Sequence, residues 1–326
     1  MTNKAIGVRQ DIPNWGVRRA RAEREEGEAR ASELSADYQL SMLRAELIGG
    51  LAEKQRIREQ IGYAEDKLKL YDELEGILRG ELEAGRAIYF RLSEVDVERA
   101  DVERSLAELG ADLARVDAAL VDLVGEAPET APPPVVLQPW DGEALALYAT
   151  QIADAGIDTA KAGVGEGKAA FGPNFGVQLT YHQREASDPS LLDSFNGDDW
   201  FSAGVTFSVP LWAPKNQAPK LRAAKAREAG ARASYQKTYR DGRERLATLA
   251  AAHAASRKNI EILRNKAKSL DDIIASARRN YEAGSGDYIL VLDVEIGRLT
   301  LLSELASERA RSTTLAAQAN SQLAVQ

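Results

Sequence analysis

Cysteine is absent from the chain, which removes thiolate nucleophiles, disulfides and a lipid-modified N-terminal cysteine together and suits an exported protein. No run of about 18 apolar residues occurs, so no transmembrane helix is expected. Met1-Thr2-Asn3-Lys4-Ala5 leads directly into a strand-like segment, without the charged and apolar regions of a signal peptide. Aromatic residues make up only 6 % of the 326 positions. Long Ala/Glu/Arg/Leu runs take their place, so extended helices are expected rather than two or three compact, thick-cored domains. The two histidines, His182 and His253, fall on the polar face of a strand and in an alanine-rich helix, and both read as solvated side chains. There is no glycine-rich phosphate loop after a strand, no Ser/His/Asp set in context and no H-x-x-x-H pair. Enzyme, cofactor and metal are therefore not expected. A net charge of −8, without a basic stripe or aromatic-interleaved basic patch, reads against nucleic acid as partner.

What is present is organised around Trp200 to Tyr281. Phe201, Ala203, Val205, Phe207, Val209 and Leu211 alternate with Ser202, Gly204, Thr206 and Ser208, which predicts a strand apolar on one side and wet on the other. Pro210 ends it, because proline cannot go on donating to a strand ladder. A polar, alanine-rich stretch without a turn cluster follows from Lys215 to Ala283. It predicts one helix of about 100 Å at about 1.5 Å per residue.

The same order opens the chain. Gly7, Val8, Ile12, Pro13 and Trp15 stand at one offset from Gly204, Val205, Val209, Pro210 and Trp212. From about Val17 to Glu83 runs a second long helix whose leucines and isoleucines form a narrow, coiled-coil-like seam. Gly85 suits a left-handed reversal, and a shorter helix runs on to about Leu123. Ala84, Gly85, Tyr89, Val95 and Arg99 match Ala283, Gly284, Tyr288, Val294 and Arg298, so an internal duplication is expected. Residues 127–140 form a stiff proline-rich linker between a first repeat, 1–126, and a second, 141–326. The second repeat opens with a helix from Asp141 to about Ala170, weakened by Gly163, Gly165 and Gly167. A β-hairpin over 175–212, the long helix 215–283 and a shorter helix 287–324 follow. In the hairpin Phe175, Val177, Leu179 and Tyr181 oppose Gln178, Thr180 and His182, and a polar loop, Gln183 to Asp199, joins its strands. Two alternating strands of barrel-spanning length are the local signature of a transmembrane β-hairpin.

These features resemble the TolC-type outer-membrane channel family. The resemblance rests on the duplicated strand-Pro-x-Trp-long-helix unit with Val209-Pro210-Leu211-Trp212, and on the tip Tyr281-Glu282-Ala283-Gly284 followed by Val291-Leu292-Asp293. Within the family the second half is most similar to channels of metal-ion efflux systems. The fold implied is mainly α with a small transmembrane β part, long antiparallel hairpins joined to strands of a shared barrel. The function implied is the outer-membrane exit duct of a tripartite efflux pump, passively conducting small molecules or metal ions. The partners implied are two further copies in a homotrimer, a periplasmic adaptor, an inner-membrane pump and outer-membrane lipid. The alternatives are a type I secretion duct of the same fold and a non-membrane coiled-coil scaffold. The family gives four strands per chain, whereas this sequence carries three and lacks the family's signal peptide, first helix and first strand, so a fragment, a mis-started gene or a degenerate protein is expected.

The expected site residues fall into four groups. Val177, Leu179, Phe201, Val205, Phe207 and Val209 would face lipid, with Gln178, Thr180, Ser202, Thr206 and Ser208 towards a lumen. At the strand ends, Pro13 and Pro210 stop pairing, and Trp15, Trp200 and Trp212 suit an interfacial aromatic girdle. At the tips, Ala84, Gly85, Ala87, Ala283, Gly284 and Gly286 leave room for an approaching adaptor hairpin. The resemblance further implies a pore entrance ringed by acids. Asp293 occupies one of the family's two acidic positions and Leu290 the other, while Arg91 and Glu94 stand at the equivalent places in the first half.

Overall fold

A computed structural model describes residues 3–86, 89–126, 128–184 and 199–324. The order is β1 (Asn3–Ile12), α1 (Trp15–Glu83), α2 (Tyr89–Val124), a single 3-10 turn (Ala144–Ala146), α3 (Tyr148–Ala169), β2 (Asn174–Arg184), β3 (Trp200–Ser208), α4 (Ala213–Glu282) and α5 (Tyr288–Asn320). The chain packs as two units, one of Met1–Ala36 with Tyr148–Arg240 and one of Asp37–Leu147 with Asp241–Gln326.

Two sequence expectations need correction. The helix expected from Asp141 begins only at Tyr148, because Gly142 sits at φ 95 and the Asp141 side chain takes the Glu143 amide at 2.9 Å, a local turn that competes with helix. The glycines of α3 do not interrupt it. α4 begins at Ala213 and holds Pro219 inside it, so a proline does fall within the stretch read as unbroken. It lies in the second turn, where one backbone bond is lost and the helix continues.

In the first unit β1, β2 and β3 form one antiparallel sheet in that order. The register sets Val8 opposite Leu179 and Phe175, Val177 and Tyr181 opposite Phe207, Val205 and Phe201. One face of all three strands is therefore apolar, since side chains alternate with period two. Asn14 joins strand to helix. Its Oδ1 accepts from the Val17 amide at 3.0 Å, the N-cap bond that satisfies a free donor of α1. Its Nδ2 donates to Ala169 O at the end of α3 at 2.8 Å, and its own amide donates to Asn174 Oδ1 at the start of β2 at 3.1 Å. The helices approach closely where side chains vanish: a Cβ at Gly27 would lie 2.6 Å from Thr159 Oγ1, and one at Gly167 3.3 Å from Leu221.

In the second unit α1, α2 and α5 bury Tyr71, Leu74, Leu78, Val95 and Leu292 together. A second cluster joins Leu51 and Ile57 of α1 to Val116 and Leu120 of α2. Each fully buried leucine or isoleucine contributes about 1.5–3 kcal/mol by leaving water. The proline-rich linker is no free spacer here. Lys54 of α1, 2 % exposed, donates to Pro128 O at 3.1 Å and Glu129 Oε1 at 3.0 Å while pairing with Asp117 of α2 at 2.8 Å. Further along, the Gln138 amide and the Val136 carbonyl are both held by the Asn320 side chain of α5, at 2.9 and 2.8 Å.

Candidate functional site

The sheet is two-faced. Val177, Leu179, Phe201, Val205 and Phe207 lie on the face shared with Ile6 and Val8, and all are exposed, Val205 at 78 %. The opposite face carries Arg9, Gln178, Thr180, Ser202 and Thr206. A contiguous apolar face of this size in water is a surface awaiting a partner or an apolar solvent. Among the described residues β1 and β3 each pair on one side only, leaving a row of backbone donors and acceptors along each outer edge. Val209 departs from expectation. β3 ends at Ser208, and the Leu211 amide turns back to Val209 O at 3.0 Å, so Val209 lies in the bend that Pro210 enforces. At this end of the sheet Pro13 follows β1, and Trp15 and Trp212 are 75 % and 71 % exposed. Trp200 opens β3 at the other end and stacks on His182 with ring centres 4.7 Å apart.

Both glycine turns are built alike. Gly85 and Gly284 take φ 84 and 73. The Gly85 amide donates to Leu82 O and that of Arg86 to Glu81 O, while Gly284 donates to Tyr281 O and Ser285 to Asn280 O. This is the Schellman pattern that satisfies the last carbonyls of a helix. Ala84 and Ala283 are exposed beside them; Ala87 lies outside the described residues. Gly286 differs from its expected part. A Cβ there would come 2.7 Å from the Tyr281 nitrogen and 2.9 Å from the Asn280 carbonyl carbon, so Gly286 belongs to the turn itself. Asp287 then caps α5, accepting from the Ile289 amide at 2.8 Å.

Just past the turns the two halves of the chain meet. Arg91 of α2 donates to Asp293 of α5 at 2.5 Å and to Glu94 at 2.8 Å. The Glu94 hydrogen bond, with Asp293 behind it, raises the Arg91 pKa, so the guanidinium stays charged. Beneath this pair burial, with the Glu98 carboxylate, pushes the Tyr71 hydroxyl up to about 12. Leu290 is exposed. Sequence positions set Arg91 against Leu290 and Glu94 against Asp293; the fold makes Arg91 the partner of Asp293.

One feature has no counterpart in the sequence reading. A cavity of about 740 Å³ in the first unit is lined by α1, α3 and α4 and reaches Pro13 and Asn174 at the strand-to-helix junction. Its floor is of glycine and alanine, and its charged groups are Arg21, Arg24, Lys220, Arg227 and one carboxylate, Glu166. Between Ala213 and Arg240, α4 has a single acid, Glu228, among eight basic residues. This stretch of α4 is thus locally basic in a chain whose net charge is acidic.

No helix among the described residues is long and apolar enough to cross a membrane. The family model described as outer membrane efflux protein matches residues 150–325. Among solved structures the chain is similar to the outer membrane protein VceC of Vibrio cholerae, at 20 % identity and TM-score 0.77, over 99 % of this chain and 80 % of that one. It is similar to CusC at 17 % identity and TM-score 0.80, over 99 % and 83 %. It is also similar to the open state of the MtrE outer membrane channel of Neisseria gonorrhoeae, at 19 % and 0.76, over 98 % and 80 %. At these identities the shared property is the fold. No curated protein matches the chain.

Proposed function

The chain belongs to the outer membrane efflux protein family, whose members are passive channels and not enzymes, and on that premise we propose that it forms the exit duct of a tripartite efflux pump. The observation that carries this reading is the two-faced sheet with unpaired outer edges. In a homotrimer the edge of β1 in one copy would be covered by strands of a neighbour, closing a barrel with Val177, Leu179, Phe201, Val205 and Phe207 on lipid and Gln178, Thr180, Ser202 and Thr206 on water. Closure in this way satisfies every ladder hydrogen bond that a bilayer interior would leave without a partner. The exposed tryptophans at the sheet ends suit the two interfaces.

At the two glycine turns Ala84, Gly85, Ala283 and Gly284 offer small, exposed surfaces to a periplasmic adaptor hairpin. The like-built turns, each following a strand and a long helix, support two repeats. Conduction is passive, small molecules or metal ions being delivered by an inner-membrane pump. At the mouth Asp293 is neutralised in part by Arg91, and Leu290 stands exposed nearby. The constriction is then part ionic and part apolar rather than a bare carboxylate ring.

Expression with an exported leader in a Gram-negative host tests this. Heat-dissociable trimers in the outer-membrane fraction, giving single-channel current steps in planar bilayers, are expected. A monomeric, cytosolic product with no conductance would overturn the reading.

A further inference from the structure

The cavity below the sheet is built by three helices that each offer a stripe to it. α4 contributes Gln217, Lys220, Ala224 and Arg227, spaced three, four and three apart and so on one face. α3 contributes Gly156, Ala160, Gly163 and Gly167, whose missing side chains open the space. α1 contributes Arg21 and Arg24. The α1 side is partly neutralised: Glu166 takes Arg21 at 2.8 Å and Arg24 at 3.5 Å, and Arg24 also meets Glu25 at 2.9 Å and Glu28 at 3.7 Å. The α4 side is not. Lys220 and Arg227 have no ion-pair partner among the described residues, and Glu228, the nearest acid in sequence, pairs with Arg232 instead. Two buried polar atoms of the lining also lack a hydrogen-bond partner among the described residues, the Oε1 of Gln217, an acceptor, and the Nε of Arg24, a donor that the Glu28 carboxylate approaches only to 3.7 Å. Such atoms cost free energy unless something meets them.

A ligand that meets all of these must be anionic, with several acceptor oxygens for two or three cations, must carry one donor for Gln217, and must have an apolar or small body against the glycine and alanine floor. We infer that the cavity binds a phosphate ester bearing a free hydroxyl, the chemistry of an anionic glycerophospholipid headgroup. Guanidinium and ammonium groups bind phosphate through charge-assisted hydrogen bonds, and the ligand's hydroxyl would donate to the Gln217 carbonyl. The cavity reaches Pro13 and Asn174, where the strands become helices. The lipid as source rests on the membrane reading above, which puts that junction at the bilayer surface.

Native mass spectrometry of the full trimer in neutral detergent tests the site, with added phosphatidylglycerol, phosphatidylcholine or soluble glycerol 3-phosphate. Phosphatidylglycerol should be retained over phosphatidylcholine. Lys220→Gln with Arg227→Gln, both at exposed positions, should weaken that retention at least about tenfold, as loss of a charge-assisted bond does. Gln217→Leu should weaken it less. Retention unchanged in the double variant, or equal for the two lipids, overturns the proposal. Binding of glycerol 3-phosphate without the lipid would keep the anion site and remove the lipid source, and the membrane placement of the junction with it. Binding of neither by a protein that still conducts in bilayers would refute the cavity proposal and leave the channel reading standing.

Discussion

Replacing Lys54 by methionine removes one charge from the place where linker, α1 and α2 meet, with little change in side-chain length. Lys54 is 2 % exposed, and its ammonium is within 2.8 Å of Asp117 and 3.0 Å of Glu129. Taking one partner from a buried pair costs about 3–5 kcal/mol, because the remaining charge is left without compensation. Less than that applies here, because the carboxylates left behind are a third or more exposed and water takes up part of their charge. Glu129 is mostly exposed and keeps Arg58 at 2.5 Å, so Asp117 is the group stranded. About 1–2 kcal/mol of destabilisation is therefore expected in urea titrations of Lys54→Met, and much of it should return when Asp117→Leu is added. Amide exchange over 128–138 should rise, with Gln138, bound to Asn320, as the reporter.

The pH dependence of the same contact has two sides. The Asp117 hydrogen bond, assisted by Glu129, raises the Lys54 pKa, so its contribution is complete below the ordinary lysine range and is lost as pH rises through the raised value. Arg58 first, then Lys54, lowers the Glu129 pKa. That contribution is complete above the ordinary carboxylate range and is lost as pH falls through the lowered value. Protection of the linker should form a plateau between the two limits. A Lys54→Met protein within about 0.5 kcal/mol of the parent, the range of ordinary surface substitutions, would refute the buried-anchor argument.

Val205→Arg, at the middle of β3 on the apolar face, should cost about 2–4 kcal/mol per copy in lipid and reduce outer-membrane trimers, whereas Thr206→Arg should assemble; the reverse ranking would exclude the facing assigned to the sheet. Gly284→Ala should cost about 1 kcal/mol for its positive φ, while Gly286→Ala, whose Cβ meets backbone atoms, should cost more; equal thermal shifts would contradict the turn geometry. Asn14→Ala should lose about 1 kcal/mol from the N-cap plus the bond to Ala169, against a smaller loss for Asn14→Asp, which keeps the cap but not the donor. Asp293→Asn should leave Arg91 with Glu94 alone and shift bilayer reversal potentials towards anions; unaltered selectivity would remove Asp293 from the conduction path.

Sequence made the strands, their two faces and their proline stops readable, because alternation and a missing amide act within a few residues. The Gly85 and Gly284 turns were readable for the same reason. Gly286 was misjudged, since what limits it is the backbone of Asn280 and Tyr281 folded back upon it, which spacing does not reveal. The late start of α3 was hidden in the local bonding of Asp141 and of Trp140, whose indole N–H donates to Glu143 O at 2.9 Å. Asn14, Lys54 and the cationic cavity were out of reach altogether. Asn14 meets Ala169 and Asn174, Lys54 meets Asp117 and Glu129, and the cavity needs three helices far apart in the chain. The Arg91 and Asp293 pair shows the limit from the other side: repeat matching located both residues, Arg91 as the counterpart of Leu290 and Asp293 as that of Glu94, but carries no information on the contact between them.

The linker invites a cut, yet the way it is tied makes cutting harmless in one respect and decisive in another. Each packed unit draws on residues from both sides of the linker, 1–36 with 148–240 and 37–147 with 241–326. Neither half of the gene encodes a complete unit. Two separately translated polypeptides split near Ala131 would each lack sheet or helix neighbours that bury part of their apolar surface, so each should complete its packing only on meeting the other. Coexpressed, they should purify as a one-to-one complex, and expressed singly, they should be degraded. If the two pieces reassemble in this way, the covalent join sets their local concentration more than it sets structure.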